Sequence, residues 1–283
     1  MAKKQDKEHE KTEIAASVVV KEEEEESAVE DVLSTEEIIK AEDEKQPPKE
    51  VTKLDAWEPR TSLGKKVKNR EITDINYIID NGLKILESEI VDILLPNLET
   101  DLLLIGQSKG KFGGGQRRVF RQTQKKTREG NKPKFSTIAI AGNKDGYVGI
   151  GYGKSKETVP AREKAFRSAK LNMIKIRRGN GSWQDSSDDA HTIPFTVEGK
   201  CGSVKIKLMP APKGTGLCVE KECQKILQLA GIKNVRSKTQ GQTKTKINLI
   251  LACEKALKQL MKTKVQAYQY DIVKIKEGFI KVE

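Results

Sequence analysis

Hydrophobic positions along this chain change period several times, and each change marks an element. From Thr73, a residue suited to an N-cap, Ile75, Ile78 and Ile79 recur at helical spacing. Leu86, Ile90, Ile93 and Leu94 do the same before Pro96 ends the pattern, and Gly82 between the two sets predicts a break. The period then drops to two. Residues 135–142 read as a strand, 143–146 (NKDG) as a hairpin turn and 147–152 as the return strand. Helical spacing resumes over 157–176, with Pro160 tolerated in the first turn and an apolar stripe of Ala161, Ala165, Phe166, Ala169 and Met173.

A second module follows. Residues 193–198 and 203–209 predict strands around a turn at 199–202, and the loop 210–216 (PAPKGTG) leads into a helix with Val219, Cys223, Ile226, Leu227 and Ala230 on one face. Gly231 closes that helix, 232–236 reads as a short strand, and a last helix over 245–261 turns Ile250, Cys253, Leu257, Leu260 and Met261 inward. No internal repeat is visible. The predicted class is α+β, built from an antiparallel sheet with a packed helix and then a βαβα module.

The stretches between carry little apolar periodicity. Residues 1–55 are rich in Glu and poor in aromatics, offering too little apolar surface to offset ordering entropy, and predict a disordered acidic tail. Such a tail either shields a basic body before its partner arrives or is a solvated arm. The expected layout is that tail, a helical extension with the start of a glycine-rich basic segment (56–111), a first module (112–176), a Gly/Ser/Asp linker (177–190), a second module (191–262) and a weakly alternating tail (263–283) with Ile272, Ile275, Phe279 and Val282.

Charge sharpens this picture. The chain has 283 residues with 53 Lys and Arg against 41 Asp and Glu. Residues 1–55 hold nine lysines and eighteen acids; the remainder holds 44 bases and 23 acids, a net +21. Residues 106–134 concentrate the excess: Lys109, Lys111, Arg117, Arg118, Arg121, Lys125, Lys126, Arg128, Lys132 and Lys134 stand against Glu129 alone. A packed core cannot hold unpaired cations at that density. A polyanion can, because glycines let backbone N–H groups approach phosphates and guanidiniums match phosphate oxygens two at a time. A membrane surface is disfavoured, since the segment offers only Phe112, Val119 and Phe120 as bulky apolar groups. The apolar patch 14–20 is too short for a leader or a span. Cys201, Cys218, Cys223 and Cys253 are too widely spaced for a knuckle and read as reduced thiols of a soluble, cytosolic protein.

Catalytic motifs are weak. The run 148–155 (VGIGYGKS) ends like a phosphate loop, but Val148 stands where the first glycine belongs. The alternative is that its small residues let the hairpin pack closely on the next helix. Lys154 and Lys156, at that helix start, can still meet a phosphate. PAPKGTG is open between a phosphate cradle using Lys213 and a rigid turn with Gly214 and Gly216 at positive φ. His191 is a lone histidine in a polar linker, expected to be hydrogen-bonded. Asp185, Asp188, Asp189 and His191 read as a solvated acidic turn rather than a metal site. No catalytic set, cofactor site or metal site is expected.

Taken in order, GKFGGGQRRVFRQTQKKTREGNKPKFS, GNKDGYVGIGYGKSKETVPAREKA, AKLN, RRGNGSW, HTIPF, GKCGSV, PAPKGTG, LAGIKNV and KTQGQTKTKIN resemble the small-subunit ribosomal protein five family in its archaeal and eukaryotic form, over about 57–261. The resemblance implies a first module related to double-stranded-RNA-binding domains and a second, βαβα, with a left-handed crossover. It implies binding to small-subunit ribosomal RNA, a part in subunit assembly and in translational accuracy on the messenger-entrance side, and location in the cytoplasmic ribosome. The neighbours it implies are small-subunit protein four, protein eight as a further candidate, and messenger RNA near the entrance channel. The family's RNA-contacting loop corresponds to 123–135 here. The second fold also occurs in kinases and ATPases, so a phosphotransferase is one alternative and an RNA chaperone outside the ribosome another. Archaeal relatives often place cysteines in the linker as GCGSWECxC, where this chain has Asn180, Asp185 and Ser187; the resemblance therefore carries no zinc onto this chain.

Overall fold

The computed structural model describes residues 57–108, 117–185 and 187–278. The expectations for the acidic tail, for Lys109, Lys111 and Phe112, and for Phe279 and Val282 lie outside the described residues.

Three short helices lead in: α1 (Ser62–Lys68), α2 (Ile75–Asp80) and α3 (Glu89–Leu94). The periodicity gives α2 and α3 and their break at Gly82, which has φ +65°. The cap of α2 is Asp74, not Thr73. Helix α1, which the pattern does not predict, starts where Thr61 Oγ1 accepts a hydrogen bond from Gly64 N. All three helices bury aliphatic residues (Val67, Ile75, Ile78, Ile90, Val91) in a core shared with Ala139, Ala141, Tyr147, Ala165 and Ala169.

Strand β1 (Glu99–Leu102) ends this extension, and β2 (Arg121–Thr127) follows. Both pair with the long strand β3 (Gly130–Gly142), β2 along residues 130–136 and β1 along 139–142. They lie end to end on one edge, because β4 (Tyr147–Ser155) occupies the other edge from Phe135 to Gly142. Asn143 Oδ1 closes the β3–β4 turn, accepting from Asp145 N at 2.9 Å and Tyr147 N at 3.1 Å.

The next helix, α4 (Thr158–Leu171), stops short of the expected 176. Asn172 caps it, and β5 (Met173–Lys175) returns to pair with β4. Met173 is inward under either period, so the apolar stripe conceals the change. Helix α4 lies directly on β4 because Gly149, Gly151 and Gly153 carry no side chains toward it. A Cβ at those positions would sit 2.1 Å from Ala169 O, Ala169 N and Ala161 O respectively. The glycines of VGIGYGKS thus serve close packing.

After β6 (Arg177–Arg178), the second module contains β7 (Val197–Cys201), β8 (Val204–Pro210), β9 (Leu217–Cys218), α5 (Lys221–Leu229), β10 (Val235–Gln240) and α6 (Lys246–Lys262). The sheet order is β7-β8-β10-β9, and β9–α5–β10 joins parallel neighbours. The turn expected at 199–202 shifts toward 201–204. Gly199 lies within β7, where a Cβ would meet Ala252 O of α6 at 2.0 Å. The strand expected at 232–236 begins only at Val235, since Ile232 and Asn234 are buried in the preceding bend.

The two modules share a core. Ile138, Ile140, Val148 and Ile150 of the first sheet pack with Ile206, Leu208, Ile226 and Leu257 of the second module. Residues after 262 are not a bare tail as far as they are described: α7 (Ala267–Val273) leads to β11 (Lys276–Glu277), which pairs with β6. Glu277 accepts from Arg177 Nε and from Tyr270 Oη, each at 2.6 Å. Burial works against the Glu277 carboxylate, but those two donors outweigh it and hold its pKa below the usual value; the same contact raises the Tyr270 phenol.

Candidate nucleic-acid interface

The basic segment read as a loop at 123–135 is a two-stranded ribbon. Beyond Phe135, strand β3 loses its pairing with β4 and is held only by β2, so residues 123–134 project from the sheet. The alternation of apolar groups that announces a strand is missing from RQTQKKT, so no strand is legible there from the sequence alone. Thr127 Oγ1 donates to Gly130 O at 2.7 Å across the tip, and Gly130 takes φ +110°.

Register sorts the side chains. Facing residues of an antiparallel pair share a face. The pairs Arg121↔Ser136, Thr123↔Lys134 and Lys125↔Lys132 therefore put Arg121, Lys125, Lys132 and Lys134 on one face. Ser136 also faces Lys154 of β4, which extends that face, and half-exposed Tyr152 follows along β4. The opposite face has Gln122, Gln124, Pro133, Asn131 and Lys126. One face is cationic and the other mostly amide. Lys125 and Lys132 stand directly opposite each other, an arrangement that costs stability unless an anion lies between or above them.

Internal neutralisation is sparse. Lys132 pairs with Glu129 at 2.7 Å with both side chains exposed, so the pair contributes little. Arg118, Arg121, Lys125, Lys126, Arg128, Lys134, Lys154 and Lys156 are exposed and have no carboxylate partner among the described residues. Arg128 is at the ribbon tip, and Lys156 precedes α4.

At the ribbon's root the chain forms a cleft of about 560 Å³, lined by Gln107, Arg117, Arg121, Lys244, Thr245 and Lys246 among others, with no carboxylate in its lining. Gly106 N donates to Arg118 O at 2.8 Å and Arg118 N to Gln107 O at 3.2 Å, which closes the backbone around this spot. Arg117 Nη2 reaches Lys244 O at 3.4 Å. Lys244 is absent from the expected set. It lies 127 positions from Arg117, and the only signal for it is the mixture of lysines, amides and glycine in KTQGQTKTKIN.

Lys213 lies elsewhere and is differently engaged. Its Nζ is 2.8 Å from Asp189 Oδ2 and its backbone N donates to Asp185 Oδ2 at 3.0 Å. The Lys213 ammonium is raised in pKa by the Asp189 carboxylate, which is lowered in turn. Gly214 and Gly216 have φ +89° and +68°, as the rigid-turn reading of PAPKGTG requires.

The linker is knitted rather than solvated. Asn180 Nδ2 donates to Asp185 O at 3.0 Å and Ser187 O at 2.8 Å, and Asp185 Oδ1 accepts from Ser187 N at 2.9 Å. His191 Nε2 is 2.9 Å from Asp185 Oδ2, and its Nδ1 is 3.0 Å from Asn234 Nδ2, so the lone histidine is hydrogen-bonded as expected. The backbone N–H groups of Ser187 and Lys213 hold Asp185 down to a pKa of about 2. Asn180, Asp185 and Ser187 thus converge where the resemblance places cysteines. Their donor set does not fit zinc: it has no thiolate, and the Asn180 amide is turned to donate.

Comparison with known proteins agrees with this architecture. A family model described as ribosomal protein S5, N-terminal domain, matches residues 119–177, and one described as ribosomal protein S5, C-terminal domain, matches 199–269. The chain is similar to proteins named small ribosomal subunit protein uS5. The one from Nanoarchaeum equitans is 47% identical over 227 residues, covering 80% of this chain and 97% of the relative. That of Methanocaldococcus jannaschii is 42% identical over 225 residues, with the same shares of 80% and 97%. The Pyrobaculum calidifontis protein is 45% identical over 208 residues, 74% of this chain and 96% of the relative.

Proposed function

The chain belongs to the ribosomal protein S5 family, and from that premise we propose that it is a structural, non-enzymatic constituent of the small ribosomal subunit in the cytoplasm, which grips ribosomal RNA through its basic ribbon. The observation that carries this reading is the face formed by Arg121, Lys125, Lys132, Lys134 and Lys154, whose only internal carboxylate partner among the described residues is Glu129. Cations held about 5–7 Å apart on a strand pair can follow a phosphate backbone without reading bases. Their role is positioning, and Arg117 with Lys244 extends the grip to the cleft. Lys126, Arg128, Arg118 and Lys156 serve as flanking phosphate contacts, and Lys109 and Lys111 belong to the same basic segment.

From the family resemblance the proposal extends to a part for the protein in subunit assembly and decoding accuracy on the messenger-entrance side, with small-subunit protein four, protein eight and messenger RNA as neighbours. The phosphotransferase alternative has no support in the geometry. The glycines of VGIGYGKS pack α4 onto β4, and Lys213 of PAPKGTG is held by Asp189. No helix among the described residues is long and apolar enough to cross a membrane.

Replacing Lys125, Lys132 and Lys134 together by Ala tests the reading. Binding of the full chain to small-subunit ribosomal RNA should weaken, and the slope of log affinity against log salt should fall by roughly 0.7–0.9 for each phosphate no longer neutralised. A wild-type slope in this variant removes the ribbon face from the RNA interface.

A further inference from the structure

A second cationic surface lies on the other sheet. In the second module, Val204, Ile206 and Leu208 of β8 point into the core, so the intervening residues point outward. Register lines them up across β7, β8 and β10. Lys200, Lys205 and Gln240 make one row, Glu198, Lys207 and Lys238 the next, and Met209 and Arg236 a third. Five cations thus share one face of the sheet with a single carboxylate. Glu198 pairs with Lys207 at 3.2 Å, and neither Lys200, Lys205, Arg236 nor Lys238 has a carboxylate partner among the described residues. Lysine faces lysine at two crossing points, Lys200↔Lys205 and Lys207↔Lys238. The fold tolerates this repulsion on a surface that helix α6 leaves uncovered.

We propose that this outward face of β7–β8–β10 is a second RNA-binding surface, which takes the sugar–phosphate backbone of small-subunit ribosomal RNA; the proposal rests on the function given above and adds a site to it. Charge complementarity selects the occupant. Protein interfaces are depleted in lysine at their centres, and this centre consists of lysines. A membrane surface would need bulky apolar groups, and the face offers only half-buried Met209. A phosphate backbone needs nothing more than a grid of cations, here spaced about 5 Å across strands and about 7 Å along them. The face is also continuous with the ribbon's root. Strand β10 runs through Gly241 to Lys244, whose carbonyl Arg117 reaches beside Arg121.

The test uses the full chain and small-subunit ribosomal RNA. In one variant Lys200, Lys205, Arg236 and Lys238 are all replaced by Gln; the ribbon variant runs alongside. The sheet variant should bind at least about tenfold more weakly, with a salt slope lower by about two or more, at roughly one per phosphate released. In the wild type, RNA alone should protect Lys205 and Lys238 from acylation. Removing the facing lysines should leave the thermal midpoint unchanged or raised; if the quadruple variant fails to fold, Lys238→Gln alone should lower the slope by about one. A wild-type slope with Lys205 and Lys238 unprotected overturns the inference, and if the ribbon variant still loses affinity, the function proposed above stands. If neither variant changes binding, both readings fall. Protection that appears only when other small-subunit proteins are added assigns the face to a protein partner and also overturns the inference.

Discussion

The ribbon at 121–136 and the segment at 177–192 with its companion loop 210–216 look alike in sequence: both are polar, rich in glycine, serine or amides, and interrupted by charges. In the fold they are opposites. The ribbon turns Lys125, Lys132 and Lys134 outward with one weak internal ion pair, whereas the linker folds inward around Asp185. The difference lies in sign rather than in amount of charge. A stretch carrying both signs can satisfy itself, as Lys213 does with Asp189 and Asp185 with backbone N–H groups. A stretch of one sign must find its counter-charge outside the chain. Among polar segments, self-neutralisation therefore separates the linker from the face proposed to bind RNA.

The comparison can be broken most forcefully at Asn234. This buried side chain accepts from Gly216 N at 2.9 Å and meets His191 Nδ1, so it ties the linker to the PAPKGTG loop. Asn234→Ala leaves those groups unpaired and should cost about 2 kcal/mol in chemical denaturation, while the folded protein keeps its RNA affinity. A large fall in affinity with unchanged stability would make the linker a contact surface after all.

Acid titration gives an intermediate effect. The Asp185 carboxyl, at a pKa of about 2 in the folded chain, lies below its unfolded value near 4. Its contribution to stability is complete above about pH 4 and is lost as pH falls toward 2. Thermal midpoints measured over that window should fall less steeply for Asp185→Asn than for the wild type. An identical acid limb would show that the Ser187 and Lys213 amides do not hold the ionised form.

The smallest effect is expected at Lys213. Because its ammonium already has Asp189, Lys213→Ala should change the RNA salt slope by clearly less than the roughly one unit of a phosphate-contacting lysine. A full unit would place Lys213 with the ribbon cations despite its internal partner.

Much of this is legible in the chain wherever a local pattern has one physical meaning. The alternation at 135–142 and 147–152 around NKDG marks the central hairpin, and the lack of side chains at Gly149, Gly151 and Gly153 permits the close approach of α4. Three features escape such reading. Strand β2 has no apolar alternation, because neither of its faces is buried over most of its length. Strand β5 hides in a helical stripe that Met173 continues. The approach of Lys244 to Arg117 and the convergence of Asn180, Asp185 and Ser187 are tertiary events. The density of cations marks the basic segment, but only the register of β2 on β3 divides it into a cationic face and a mostly amide one.

The pairing of β11 with β6 bears on how the protein matures. Arg177 meets Glu277, 100 positions later in the chain, so this clasp cannot close until residue 277 has been synthesised. The β2–β3 hairpin needs only neighbours within about 15 residues and can form far earlier. A nascent chain would thus expose its cationic arm before its final fastening is in place, a period in which an escorting chaperone would have most to protect.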